Sequence, residues 1–139
     1  MILLDTNVIS EVMRSQPDPK VLEWLRKQRT TQLYVSALTV AEIRRGLALL
    51  PSGQRKTRLE LAFQKFLDEG FSNRIWSFTS ETALVYAPIY AERIQAGLGV
   101  GELDLLIAAT AKQYRASLAT RNLADFKACG LKLINPWTE

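Results

Sequence analysis

The chain reads as an α/β fold, a central mainly parallel sheet of four to five strands flanked by helices, in a single domain over residues 1–139. Five short apolar runs, at 2–4, 33–35, 75–78, 117–119 and 131–134, alternate with longer segments whose apolar residues recur at spacings of three and four. That alternation builds crossover connections between parallel strands. A chain of 139 residues with 47% hydrophobic content can bury roughly 68% of its unfolded surface without a disulfide or structural metal.

Ile2-Leu3-Leu4 supplies the first strand, and helices are expected at 6–14 and 19–29 before the second strand at 33–35. Helix 39–50 follows, and then Pro51-Ser52-Gly53, a turn sequence that should fold it back on helix 54–70 as a hairpin. Helix 54–70 has the clearest period, since Leu59, Ala62, Phe63, Phe66, Leu67 and Gly70 form one stripe. A third strand at 75–78 leads into helices 80–97 and 102–115, and strands 117–119 and 131–134 bracket a short helix at 122–128. Trp24, Trp76 and Trp137 are expected in packing positions, because large aromatics bury most of their area in small domains. Helices 19–29 and 54–70 carry more apolar stripe than a small core needs, which suits dimerisation.

Composition excludes several chemistries. The chain has no histidine, which removes Ser-His-Asp and Cys-His nucleophilic systems, His-liganded zinc and haem. Its one cysteine, Cys129, cannot form an intrachain disulfide or a Cys-rich zinc site and points to a reducing compartment. No apolar run approaches the roughly 20 residues that span a bilayer, and the N-terminus lacks a secretory pattern, so a cytoplasmic protein without membrane contact is expected. The formal charge is +4, from 18 basic and 14 acidic side chains, and committing four acids to a site leaves 18 basic against 10 acidic. A basic exterior around an acidic pocket suits a polyanionic substrate, and it serves solubility equally well. The run Gln54-Arg55-Lys56-Thr57-Arg58 has the same two readings, a solvated face or a nucleic-acid contact.

Three carboxylates stand where packing favours Leu or Val. Asp5 closes Ile2-Leu3-Leu4, Glu42 interrupts Val40-Ala41-Glu42-Ile43, and Asp104 is embedded in Leu103-Asp104-Leu105-Leu106-Ile107. Acids are seldom buried alone, because an unpaired carboxylate in low dielectric is costly. Each has a local explanation: Asp5 as an N-cap, Glu42 and Asp104 as first-turn complements to a helix dipole. Asp104 fits least, since its helix is apolar on nearly every side. Topology offers a joint explanation. Asp5 follows the first strand and Thr120-Arg121-Asn122 the penultimate one, both at the carboxyl rim where open α/β sheets collect ligands. Short connections can bring the first turns carrying Glu42 and Asp104 to the same crevice. Gathered carboxylates raise one another's pKa, and hard divalent cations relieve the repulsion. An all-oxygen donor set favours Mg²⁺ or Mn²⁺, and two ions about 3.5–4 Å apart could activate water and stabilise the leaving oxygen of a phosphodiester.

Residues 1–10 (Met1-Ile2-Leu3-Leu4-Asp5-Thr6-Asn7-Val8-Ile9-Ser10), Ser36-Ala37-Leu38-Thr39-Val40-Ala41-Glu42-Ile43, Asp104-Leu105-Leu106-Ile107-Ala108-Ala109-Thr110-Ala111, Ala119-Thr120-Arg121-Asn122 and Ile134-Asn135-Pro136-Trp137 together resemble the PIN-domain ribonuclease toxins. The resemblance is strongest to the VapC/FitB branch of type II toxin-antitoxin systems, and the blocks follow the family's order along almost the whole chain. It implies a PIN-like three-layer fold and a Mg²⁺- or Mn²⁺-dependent endoribonuclease acting on RNA and silenced by a cognate antitoxin. It also implies a homodimer, with higher toxin-antitoxin assembly. Carried over by position, it makes Asp5, Asp104 and Glu42 the metal ligands and, with Asp125, the catalytic acids. Some relatives place the fourth acid directly after Thr-Arg, where this chain has Asn122. Others read Thr-Arg-Asn with an acid three residues on, here Asp125. Asn122 and Asp125 share a helix face at that spacing, and Asp125 could instead stabilise the helix start. Thr6, Ser36, Thr120 and Asn122 are candidates for supporting carboxylates or waters, or for local capping. Arg121 either contacts RNA phosphate or pairs with a nearby acid.

Two other function classes fit less well. A haloacid-dehalogenase-like phosphatase also has Asp after its first strand, but needs a second Asp where this chain has Asn7, and a receiver domain places its phospho-accepting Asp after a central strand. A non-catalytic RNA- or protein-binding module of the same fold has no use for three acids in apolar settings.

Overall fold

Leu3 and Leu4 point to opposite faces of one strand, and both are buried. Such a strand belongs inside a sheet covered on both sides. In the computed structural model, which describes residues 1–139, that strand is β1 (Ile2–Leu4), the centre of a five-stranded sheet. The helices α1 (Thr6–Val12) and α2 (Pro19–Arg26) precede β2 (Leu33–Ser36), and α3 (Ala37–Ala48) and α4 (Gln54–Gly70) precede β3 (Ile75–Trp76). Next come α5 (Ser80–Gln95), α6 (Glu102–Gln113), β4 (Ser117–Ala119) and β5 (Leu133–Ile134). The strand order is β3-β2-β1-β4-β5, and every neighbouring pair is parallel, with Ile2 opposite Leu33 on one side and Ser117 on the other. The chain therefore forms three layers. Leu4, Val8, Trp24, Phe63 and Leu67 pack one face of the sheet, while Leu3, Ile89, Leu105, Ile107 and Leu118 pack the other.

Several boundaries differ from those the sequence suggests, each for a local reason. The third strand ends at Trp76 and the fifth begins only at Leu133, because both lie at sheet edges with a bonded neighbour on one side. Helix α3 begins two residues early, at Ala37, because the Ser36 hydroxyl accepts a hydrogen bond from the Leu38 amide at 3.0 Å. Glu42 consequently lies in the second turn of α3 and not in its first. The stretch from Leu123 to Phe126 is a 3-10 turn in place of the longer helix at 122–128, and another such turn, at Thr30–Gln32, precedes β2. The expected hairpin of α3 and α4 is present, and Gly53 reverses the chain at φ 150°, a conformation that only glycine adopts freely. The stripe of α4 buries Phe63 and Leu67. No helix is long and apolar enough to cross a membrane.

Candidate active site

The strand order reverses between β1 and β4, which opens a crevice at their carboxyl ends. Asp5 leaves β1 at this point. It is also the N-cap of α1, its Oδ1 accepting from the Thr6 amide at 2.8 Å, so capping and site placement are one geometry. Across the crevice the buried Thr120 hydroxyl, directly after β4, donates to Asp5 Oδ2 at 2.8 Å, and Asn7 Nδ2 approaches the same oxygen at 3.3 Å. Asn7 also accepts from the Arg121 amide at 3.3 Å, and Thr120 Oγ1 accepts from the Asn122 amide at 3.1 Å. The β4 rim is thus tied to Asp5 by both backbone and side chains.

Glu42 enters from α3. Thr6 donates to its Oε1 at 2.6 Å, and Thr6 Oγ1 lies 3.1 Å from the buried Thr39 hydroxyl. Asp104 sits in the first turn of α6, half-buried, behind an N-cap, Gly101, that offers no side chain. Asp125 is exposed on the 3-10 turn after β4.

The acids feel one another. Burial pushes the Asp5 carboxyl from 3.8 up to about 6, and the charges of Asp104 and Glu42 add to the effect against the hydrogen bonds from Thr120 and the Thr6 amide. Burial also raises Asp104, reinforced by Asp125 and Glu42 and opposed by Arg93. Yet none of the four forms an ion pair: the ion pairs of the molecule fall on Glu11, Glu23 and Glu69. Nor are any three drawn tightly enough together to form a ready-made coordination shell. Asp5 is buried, Glu42 and Asp104 are half-buried and Asp125 is exposed, so the crevice gathers negative charge from its floor to its mouth.

A family model described as the PIN domain matches residues 2–129. The chain belongs to the PIN-domain family. Among curated relatives of this PIN domain, the plasmid stability protein StbB of Pseudomonas syringae is 45% identical over 99% of both chains. VapC ribonuclease Y4jK of Sinorhizobium fredii is 41% identical over 99% of this chain and 98% of its own, and toxin FitB of Neisseria gonorrhoeae is 42% identical over 99% of both. The crystal structure of FitAcB from Neisseria gonorrhoeae superposes with a TM-score of 0.94, at 41% identity and over the whole of both chains.

The PIN fold brings Asp5, Thr120, Asn122 and Arg121 to one rim and sets Glu42 and Asp104 close enough for their charges to be felt at Asp5, while Asp125 is felt at Asp104. Ser36 caps α3 and takes no side-chain partner in the pocket. Arg121 pairs with no acid, and its guanidinium lies 5.1 Å from the centre of the Trp137 ring, so the C-terminal Asn135-Pro136-Trp137 segment steadies it. The sequence does not reveal Asn7 or Thr39 as parts of this network, because a polar residue in the first turn of a helix reads as an ordinary cap. A second buried acid, Glu11, is likewise unanticipated. It is satisfied by Arg14 at 3.1 Å and by the Asp18 amide at 2.9 Å, and it anchors the turn between α1 and α2. One objection to a phospho-accepting aspartate is reversed, since β1 is both the first strand and the central one. Both Asp5 oxygens are, however, held by hydrogen bonds within the chain.

Proposed function

We propose that this PIN domain is the toxin of a toxin-antitoxin pair, an endoribonuclease that hydrolyses RNA phosphodiester bonds at the crevice between β1 and β4 with Mg²⁺ or Mn²⁺. The observation that carries the reading is Asp5: a buried carboxylate flanked by Asp104 and Glu42, with no Lys or Arg paired to any of them. The relatives named ribonuclease and toxin at over 40% identity support the activity and the role.

The residues present fit a hard cation. Every donor is a carboxylate oxygen, the pocket carries excess negative charge, and no histidine or thiol competes for a softer metal. Asp5, Asp104 and Glu42 would hold the ion. When bound, it supplies charge neutralisation and Lewis acidity for attack of water on phosphorus. Thr120 and Asn7 orient the Asp5 carboxylate, and Thr6 orients that of Glu42. Asp125 adds a fourth negative charge at the mouth, Asn122 supports the rim through its amide, and the exposed Arg121, propped on Trp137, meets RNA phosphate. An open groove of about 740 Å³ runs from Thr6 and Glu42 past Met13, Leu47 and Leu59. Its mixed walls, apolar at Met13, Ile43 and Leu47 and basic at Arg14 and Arg55, lead to an acidic end at Glu42, which suits an extended antitoxin segment that brings a basic side chain to the pocket. The apolar stripes of α2 and α4, expected at a dimer interface, meet α1 around a cleft of about 330 Å³.

The deciding experiment is RNA cleavage with Mn²⁺, with EDTA, and with Asp5→Asn and Asp104→Asn. Cleavage should vanish in EDTA and fall at least about 100-fold in each variant. Cleavage that survives EDTA, or that is undiminished in both variants, refutes the reading, and an acylphosphate on Asp5 would replace it with phosphotransfer.

A further inference from the structure

Arg93 is the only buried Lys or Arg in the molecule, 4% exposed in the last turn of α5. It has no carboxylate partner, and its guanidinium is spent on backbone carbonyls from two separate segments. Nε donates to Gly99 O at 3.0 Å, and Nη2 donates to the same oxygen. Nη1 donates to Ala124 O at 3.2 Å and Lys127 O at 2.8 Å. Gly99 belongs to the loop that leads into α6 and hence to Asp104, whereas Ala124 and Lys127 flank Asp125. One planar fork therefore joins the two segments that carry two of the four acids. Next to the second segment, Ala128 has φ 62°, a left-handed conformation that a non-glycine residue keeps only when its surroundings hold it there. Burying a guanidinium without a counter-ion is expensive, and a core that needed only volume would place Leu or Met here.

We propose that Arg93 is a positioning residue that fixes the spacing of Asp104 and Asp125 by clamping the loop before α6 to the turn after β4, and that metal affinity depends on this clamp. The inference rests on the metal-dependent reading of the pocket. Arg93 touches neither substrate nor ion. It acts as outer-shell groups do elsewhere, holding the ligand Asp104 and the neighbouring charge of Asp125 at a separation that their mutual repulsion opposes. Its positive charge, felt at Asp104 without contact, works in the same direction.

The test is Mn²⁺ binding to the full chain, measured by titration calorimetry without RNA, for wild type, Arg93→Met, Arg93→Lys and Thr82→Val. Thr82→Val serves as the control because it breaks a buried hydrogen bond to Gln113 across the same pairing of α5 and α6, away from the acids. Arg93→Met should bind Mn²⁺ about tenfold or more weakly. Arg93→Lys, which keeps the charge but cannot span both segments, should recover part of the loss, and Thr82→Val should bind as wild type does. If Arg93→Met does not fold, Arg93→Lys decides, and wild-type affinity in that variant overturns the inference. Unchanged affinity in a folded Arg93→Met, or an equal loss in Thr82→Val, also overturns it. A wild-type protein that binds no Mn²⁺ overturns the metal reading itself, a result distinct from the others.

Discussion

At the scale of single residues, Asp5 and Glu11 contrast a carboxylate proposed to bind metal with a structural one. Both are buried, but Glu11 has Arg14 and a backbone amide, whereas Asp5 has only neutral donors and faces two further acids. Burial first, and then the charges of Asp104 and Glu42, raises Asp5 to about 6 from 3.8. The folded pKa lies above the unfolded one, so folding favours the protonated acid. That contribution to stability is complete below about pH 4 and is lost as pH rises through about 6. In EDTA, the unfolding free energy of wild type relative to Asp5→Asn should therefore fall by roughly 2 kcal/mol between pH 4 and pH 7. Denaturant titrations at a series of pH values check this, and a pH-independent difference would mean that Asp5 is not strained by its surroundings. Asp5, Glu42 and Asp104 were visible in the sequence because acids inside apolar runs are anomalous. Glu11 was not, since α1 looks like a surface helix until the turn that follows folds over it.

At the scale of elements, the start of α6 is where local geometry and chemistry meet. Gly101 caps that helix without a side chain, and a Cβ built there would lie 3.2 Å from Asp104 Oδ2. Its φ of −90° suits any residue, so what an added side chain would meet is the close approach of the carboxylate and not a backbone restriction. Gly101→Ala should leave the melting temperature at or slightly above that of wild type, because alanine lowers the entropy of the unfolded chain. RNA cleavage should nevertheless drop about tenfold, as Asp104 yields by a few tenths of an ångström. Equal cleavage by Gly101→Ala would show that the position of Asp104 tolerates displacement. Helix existence was legible from apolar period, but the ends were not. Ser36 moved the start of α3, and with it Glu42, by a single hydrogen bond, and the short helix expected at 122–128 tightened into a 3-10 turn.

At the scale of the whole molecule, the strand order converts separate acids into one pocket. The reversal between β1 and β4 sets Asp5 against Thr120, residues 115 apart in sequence, and the helices on either side of the sheet contribute Glu42 and Asp104. Gathered, unpaired negative charge opposes folding, and under the proposed function a bound cation offsets it. Mn²⁺ at a hundredfold its dissociation constant should add about 2.7 kcal/mol to the unfolding free energy at neutral pH. In Asp104→Asn that gain should shrink, while the metal-free variant should be no less stable than wild type because a repelling charge is gone. A marked loss of stability in metal-free Asp104→Asn would mean that its carboxylate has a structural partner.

The sequence by itself determined the α/β class and singled out the three acids on which the proposed chemistry rests, because each is written in residue type and periodicity. Only the tertiary structure decided which neutral side chains hold those acids and where Asp125 lies. The same holds for the junction between the segments leading to Asp104 and Asp125, which a buried arginine closes. The physical reason is that backbone carbonyls are the partners of Arg93, and every residue has one. A clamp made to carbonyls leaves no mark in the sequence of the segments it joins and exists only once they are brought together.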